Sequence, residues 1–235
     1  MTSAPSARTF EVRHVQLARA AFAAIAAVMI TFSPDHSAAV GLAVFSGFAI
    51  ATGLVLLLSV WLVYPAGVRW PAVLLGIVTV GAGMVSGLGP VRETIGFFAV
   101  VITWAVIAGV IELVAGIVGI RSARPRTVAV RPGEVAPWSD GTPRTLMPRG
   151  EARDAIVIGA VGLVLALGLL LVQPGYALDY TIEEADATYT LTGITIAVGL
   201  FGAYAAIVAV YLGIAGFSPR TAPASQADAP TKESA

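Results

Sequence analysis

The chain has 235 residues, of which 57% are hydrophobic and only 12% charged, with no cysteine and a mean hydropathy of +0.85. Soluble domains carry about 25% charged residues, so too few polar side chains are present to cover a water-facing surface. The missing cysteine excludes disulfide scaffolds, cysteine-ligated metal centres and thiol nucleophiles, and 14 basic against 14 acidic side chains leave no net charge to recruit nucleic acid.

Crossing a hydrocarbon core about 30 Å thick takes about 20 mostly apolar residues. Six stretches qualify: 15–32, 38–64, 70–88, 95–120, 155–172 and 191–217. Their apolar residues run all the way round rather than along one stripe, as in helices surrounded by lipid and other helices. Alternating ten-residue segments of a membrane β-barrel are missing. The expected fold is all-α, with six transmembrane helices.

The expected organisation begins with a cytoplasmic segment, 1–14, followed by spans one to four over 15–120. A linker rich in arginine and proline follows at 121–153, then spans five and six over 154–217, and a tail rich in Ala, Pro and Ser over 218–235. With six spans, every basic residue except Arg92 falls on one side, and the 179–186 segment opposite carries four acids and no base. The positive-inside rule then places both termini in the cytoplasm of a multi-pass inner-membrane protein. The linker, with seven arginines against three acids, reads as flexible and drawn to anionic headgroups.

Internal spacing suggests three helical hairpins. Pro34 and Pro90 are 56 residues apart, and so are Gly53 and Gly109. Ser33-Pro34 and Gly89-Pro90 read as turns that place proline at the first position of the next helix. Pro174 and Gly202 form a looser third pair with an inserted acidic loop. Thr181 and Glu184 have capping-box spacing, which puts the start of the last helix near Thr181, outside the membrane. Because the first span is one half of a pair, residues 20–32 are not read as a cleaved signal.

Glu112 is read as the one ionisable side chain deep in a span, about 13 Å along the helix from Arg121 at 1.5 Å per residue. An ionised carboxylate is costly there, so it should face the bundle interior. Two roles are open: a proton-accepting or cation-attracting site, or a protonated acid hydrogen-bonded to a Ser, Thr or Trp on a neighbouring helix. Gly83 and Gly87 form a G-x-x-x-G pair, and with Gly53 and Gly109 they suit close helix packing. Trp104 should pack inside the bundle, whereas Trp61, Tyr64 and Trp70 suit the membrane interface. His14 and His36 fall on opposite sides, and Glu183, Glu184 and Asp186 lack calcium-loop spacing. No catalytic constellation is visible and no cofactor is called for.

Trp104-Ala105-Val106-Ile107-Ala108-Gly109-Val110-Ile111-Glu112-Leu113, with Ala115-Gly116-Ile117 and Arg121, resembles the HdeD-type membrane proteins. The shared elements are a tryptophan five residues before a glycine, a glutamate three after it, and an arginine closing the helix. Phe48 to Gly53 repeats the pattern with Leu56 in the glutamate position, and Trp70-Pro71 with Gly76-Ile77 resembles the family's preceding helix. The likeness covers roughly residues 15–121. It implies an inner-membrane protein built of hydrophobic repeats, in a family named for acid resistance and without known catalytic residues. The leading expectation is therefore a non-enzymatic membrane protein with a structural or stress-protective role. The alternative is a small transporter or channel for protons or solutes using Glu112, and a lipid-acting enzyme comes third. Oligomeric state stays open between a compact monomer and a self-associating assembly.

Overall fold

The computed structural model describes residues 10–64, 69–122, 149–182 and 187–218. In chain order the elements are α1 (Val12–Phe32), α2 (Ala38–Leu62), α3 (Trp70–Ser86), a single 3-10 turn (Gly89–Val91), α4 (Thr94–Ser122), α5 (Arg149–Leu171), strands β1 (Ala177–Ile182) and β2 (Ala187–Thr192), and α6 (Gly193–Phe217). Five of these helices are long and apolar enough to cross a membrane; α3, with 17 residues, is apolar but shorter. The expected all-α bundle is present, with one small addition.

That addition is the β1–β2 hairpin, where the sequence suggested an early start to the last helix. Residues 177–182 and 187–192 pair antiparallel, with Tyr180 opposite Tyr189 and Thr181 opposite Thr188. Both segments contain Thr and Tyr, residue types that suit a pleated surface. Cross-strand partners outcompete the local capping signal at Thr181. The helix start is instead Thr192, whose Oγ1 accepts a hydrogen bond from the Thr195 amide at 3.3 Å. Glu183, Glu184 and Asp186 lie outside the described residues.

The prolines also act differently from expectation. Pro34 sits in the α1–α2 connection, and the true cap of α2 is Ser37, whose hydroxyl accepts from the Val40 amide. Asp35 fixes that serine by accepting from both its amide and its hydroxyl, at 2.8 and 3.0 Å. Pro90 opens the 3-10 turn rather than α4, which starts at Thr94. Pro174 does mark a turn, closed by the Tyr176 amide donating to the Gln173 carbonyl at 3.0 Å. Arg121 extends α4, and Arg149 and Arg153 belong to α5, so the expected linker is shorter at both ends. Residues 123–148 and 219–235, which carry the rest of the linker and nearly all of the tail, lie outside the described residues.

Helix pairing follows the glycines. The most intimate partners are α1 with α6, α2 with α3, and α4 with α5. A Cβ on Gly53 would lie 2.6 Å from Val80, one on Gly83 3.0 Å from the Ser46 carbonyl, and one on Gly109 2.9 Å from the Gly159 carbonyl. On Gly202 it would meet Ile30 at 2.7 Å, and on Gly216 Leu17 at 2.7 Å. Small residues at these points let backbones come close enough for dispersion contact without any hydrophobic drive from lipid. Gly87 is different: it caps α3, and a Cβ there would come closest to its own helix. Gly76, whose Cβ would sit 2.7 Å from Leu57, takes the packing role given to Gly87.

Helices α2, α4 and α6 supply a central aromatic cluster. The Trp104 ring lies edge-on to Phe45 at 5.0 Å, Phe48 at 5.9 Å and Tyr204 at 5.7 Å, and Phe45 meets Phe201 at 5.4 Å. Such edge-to-face contacts suit the ring quadrupoles.

Candidate functional site

One end of the bundle, called basal here, gathers the first turns of α1, α3 and α5 with the last turns of α2, α4 and α6. Glu112 lies about 15 Å from the end of α4 and Arg19 about 10 Å from the start of α1, at 1.5 Å per residue. The two meet: Arg19 Nη2 donates to Glu112 Oε1 at 2.6 Å. Their side chains are only 16% and 9% exposed. The glutamate thus faces the interior as expected, but its partner is a guanidinium rather than a Ser, Thr or Trp.

Trp104, buried as expected, spends its indole N–H elsewhere. It donates to Thr79 Oγ1 at 3.2 Å, tying α4 to α3. Of the expected interface residues, Trp61 and Trp70 are exposed, while Tyr64 lines the basal cavity.

Around the ion pair is a partly enclosed cavity of about 80 Å³. Its polar lining is Gln16, Arg19, Tyr64, Glu112, Glu151 and Asp154, set among apolar walls that include Leu56, Leu75 and Leu212. Asp154 is anchored twice: Gln16 Nε2 donates to it at 2.7 Å and the Tyr211 hydroxyl at 3.1 Å. These bonds join α1, α5 and α6 at the cavity's rim, while the ion pair joins α1 to α4 below them.

On the far side of the ion pair lies a second void of about 10 Å³, lined by Thr52, Thr79, Trp104 and Tyr204, with Arg19 and Glu112 forming its boundary. Arg19, Leu56, Leu75 and Glu112 line both spaces, so the pair separates the larger from the smaller. Beyond the small void the aromatic cluster fills the bundle.

A charged residue inside a span is costly unless paired or wet, and here each charge satisfies the other beside a polar cavity. Glu112 thus belongs to the ion pair and lines the cavity at the same time. Among the described residues no group of three His, Asp or Glu side chains could hold a metal ion.

In the sequence, Arg19 counts only among the basic residues on one side of the spans, and nothing local marks Gln16, Asp154 or Tyr211. A signal was available. Gln16 and Arg19 are three residues apart on one helix face, and Arg19 and Glu112 lie at similar depths in their helices. No family model, curated protein or solved structure matches this chain.

Proposed function

We propose that this is a non-enzymatic, six-span protein of the inner membrane, in which a basal cavity leads protons or a small solute to the Arg19–Glu112 pair. In this reading α3, about 26 Å long at 1.5 Å per residue, also spans the bilayer. Both termini and the basal end face the cytoplasm, and the β1–β2 hairpin lies outside. Three hairpin repeats, α1–α2, α3–α4 and α5–α6, make up the bundle. The glycine contacts support that repeat: Gly53, Gly109 and Gly202 each lie on the second helix of a repeat and pack against the first helix of the next, closing a ring.

The translocation reading rests on one observation: Glu112 lines a partly enclosed cavity that also carries Gln16, Tyr64, Glu151 and Asp154 among its apolar walls. The aromatic cluster beyond it fits a state closed to the outside. The test is the whole protein in liposomes with pH and ion reporters, alongside a Glu112→Gln variant of matched folding. Wild-type flux that the variant loses is expected. Absence of flux, or flux indifferent to the substitution, overturns the reading.

A second reading, the HdeD-type structural or stress-protective role, is favoured by the glycine-locked helix contacts, which suit a rigid scaffold more than a moving carrier. A deletion strain should then lose survival in acid or under other envelope stress, and unchanged survival removes that role.

A further inference from the structure

The small void beneath the ion pair has chemistry of its own. Among the described residues, Arg19 Nε and Thr52 Oγ1 are buried polar atoms without a hydrogen-bonding partner, and both residues line this void. Thr52 is only 4% exposed and sits on α2, facing α1 and α4 across the space. Leaving buried donors and acceptors unpaired is costly, and at membrane depth no bulk solvent is at hand to pair them. Holding a water takes roughly 10–15 Å³ of such space and two to four polar partners. The void offers about 10 Å³, an N–H donor at Arg19 and a hydroxyl at Thr52 that can donate or accept. Glu112 and Tyr204 line it as well.

We infer that this void is a binding site for a single water molecule, held by Arg19 and Thr52 on the inner side of the ion pair. Its size then sets a limit on what can pass. The outer cavity can take a small solute, but anything larger than water stops at Arg19–Glu112, and the guanidinium and the cost of stripping its hydration oppose a bare metal cation, so the species handled beyond the pair is a water-borne proton. The water site stands on the packing alone, whereas its role in selecting the proton rests on the translocation reading above.

Two measurements separate these levels. In a high-resolution structure of the whole protein, density for one water is expected within hydrogen-bonding distance of Arg19 Nε and Thr52 Oγ1. Thr52→Val, which keeps the shape but removes the hydroxyl, should lose that density, and Thr52→Ser should keep it. A dry void in the wild type overturns the inference. In liposomes, Thr52→Val is expected to lower proton flux about tenfold, the scale set by one buried group left unsatisfied, with Thr52→Ser close to wild type. Tetramethylammonium uptake should be absent throughout. Uptake of that cation through the wild type overturns proton selection while leaving translocation intact. An ordered water in a protein that conducts nothing keeps the site and ends the translocation reading instead. Melting temperatures of both variants guard against misfolding, and if Thr52→Val fails to fold, the wild-type density and cation uptake still decide.

Discussion

The basal half of the bundle and the half nearer the β-hairpin solve different problems with the same kind of helix. In the basal half, α1, α4, α5 and α6 are joined by polar contacts, Arg19 to Glu112 and Gln16 and Tyr211 to Asp154, around a cavity. In the other half, α2, α4 and α6 meet through Phe45, Phe48, Trp104, Phe201 and Tyr204, rings packed edge to face. Aromatic contacts are non-polar and forgiving, whereas a buried charge depends wholly on its partner. Stability and vulnerability are therefore concentrated at different depths.

The largest effect is expected from removing one charge. Arg19→Met leaves the Glu112 carboxylate buried and uncompensated, a change that typically costs 3–5 kcal/mol, roughly. Replacing both partners, Arg19→Met with Glu112→Leu, should recover most of that loss, because two apolar side chains of similar volume need no pairing. Unfolding in mixed micelles measures both. A double variant as unstable as the single one would mean that the pair's worth lies in its wider polar surroundings. Recovery of stability without recovery of flux would separate the structural from the functional use of Glu112.

A smaller effect sharpens the role of the helix contacts that run through both halves. Gly109→Ala forces a methyl to within 2.9 Å of the Gly159 carbonyl, a backbone atom that cannot swing aside. Overpacking of this kind costs about 1–3 kcal/mol. Gly199→Ala, on the same kind of helix but facing open space, should be neutral or stabilising by about 0.5–1 kcal/mol. Equal behaviour of the two variants in the same unfolding assay would refute glycine-directed packing.

Much of the bundle is legible in the sequence because the bilayer imposes a length and a composition. All six expected segments are helical, five of them long and apolar enough to cross a membrane, and Gly53, Gly83 and Gly109 lie at helix contacts as their small size suggests. What sequence alone could not reach are partners far apart in the chain. Arg19 and Glu112 are 93 residues apart and Gln16 and Asp154 are 138 apart, so pairing them requires knowing which helices are neighbours. Local signals misled where two were in competition. Ser33 and Ser37 both stand near the start of α2, and the fixing of Ser37 by Asp35 decides between them. Thr181 offers a helix cap and a strand partner, and the pairing with Thr188 prevails. Gly87 completes a G-x-x-x-G pattern, but the helix ends before it can present that face.

The smallest expected effect tests the aromatic half directly. Thr79→Val removes the acceptor of the Trp104 indole N–H while keeping the shape of the side chain. In water a buried donor left unpaired would be a serious loss, yet interhelical hydrogen bonds within membranes average only about 0.6 kcal/mol and reach at most about 1.7. The reason is the reference state: a helix unfolded from its neighbours but still in the bilayer finds other partners for its polar groups. The same reasoning does not shelter Arg19→Met, because no neutral partner in lipid compensates a full charge as well as a guanidinium does. A Thr79→Val variant that unfolds as readily as Arg19→Met would therefore place the weight of the fold in the Trp104 contact. A loss several times smaller would leave the aromatic cluster as packing, with the polar floor as the part of the molecule that cannot be changed on one side alone.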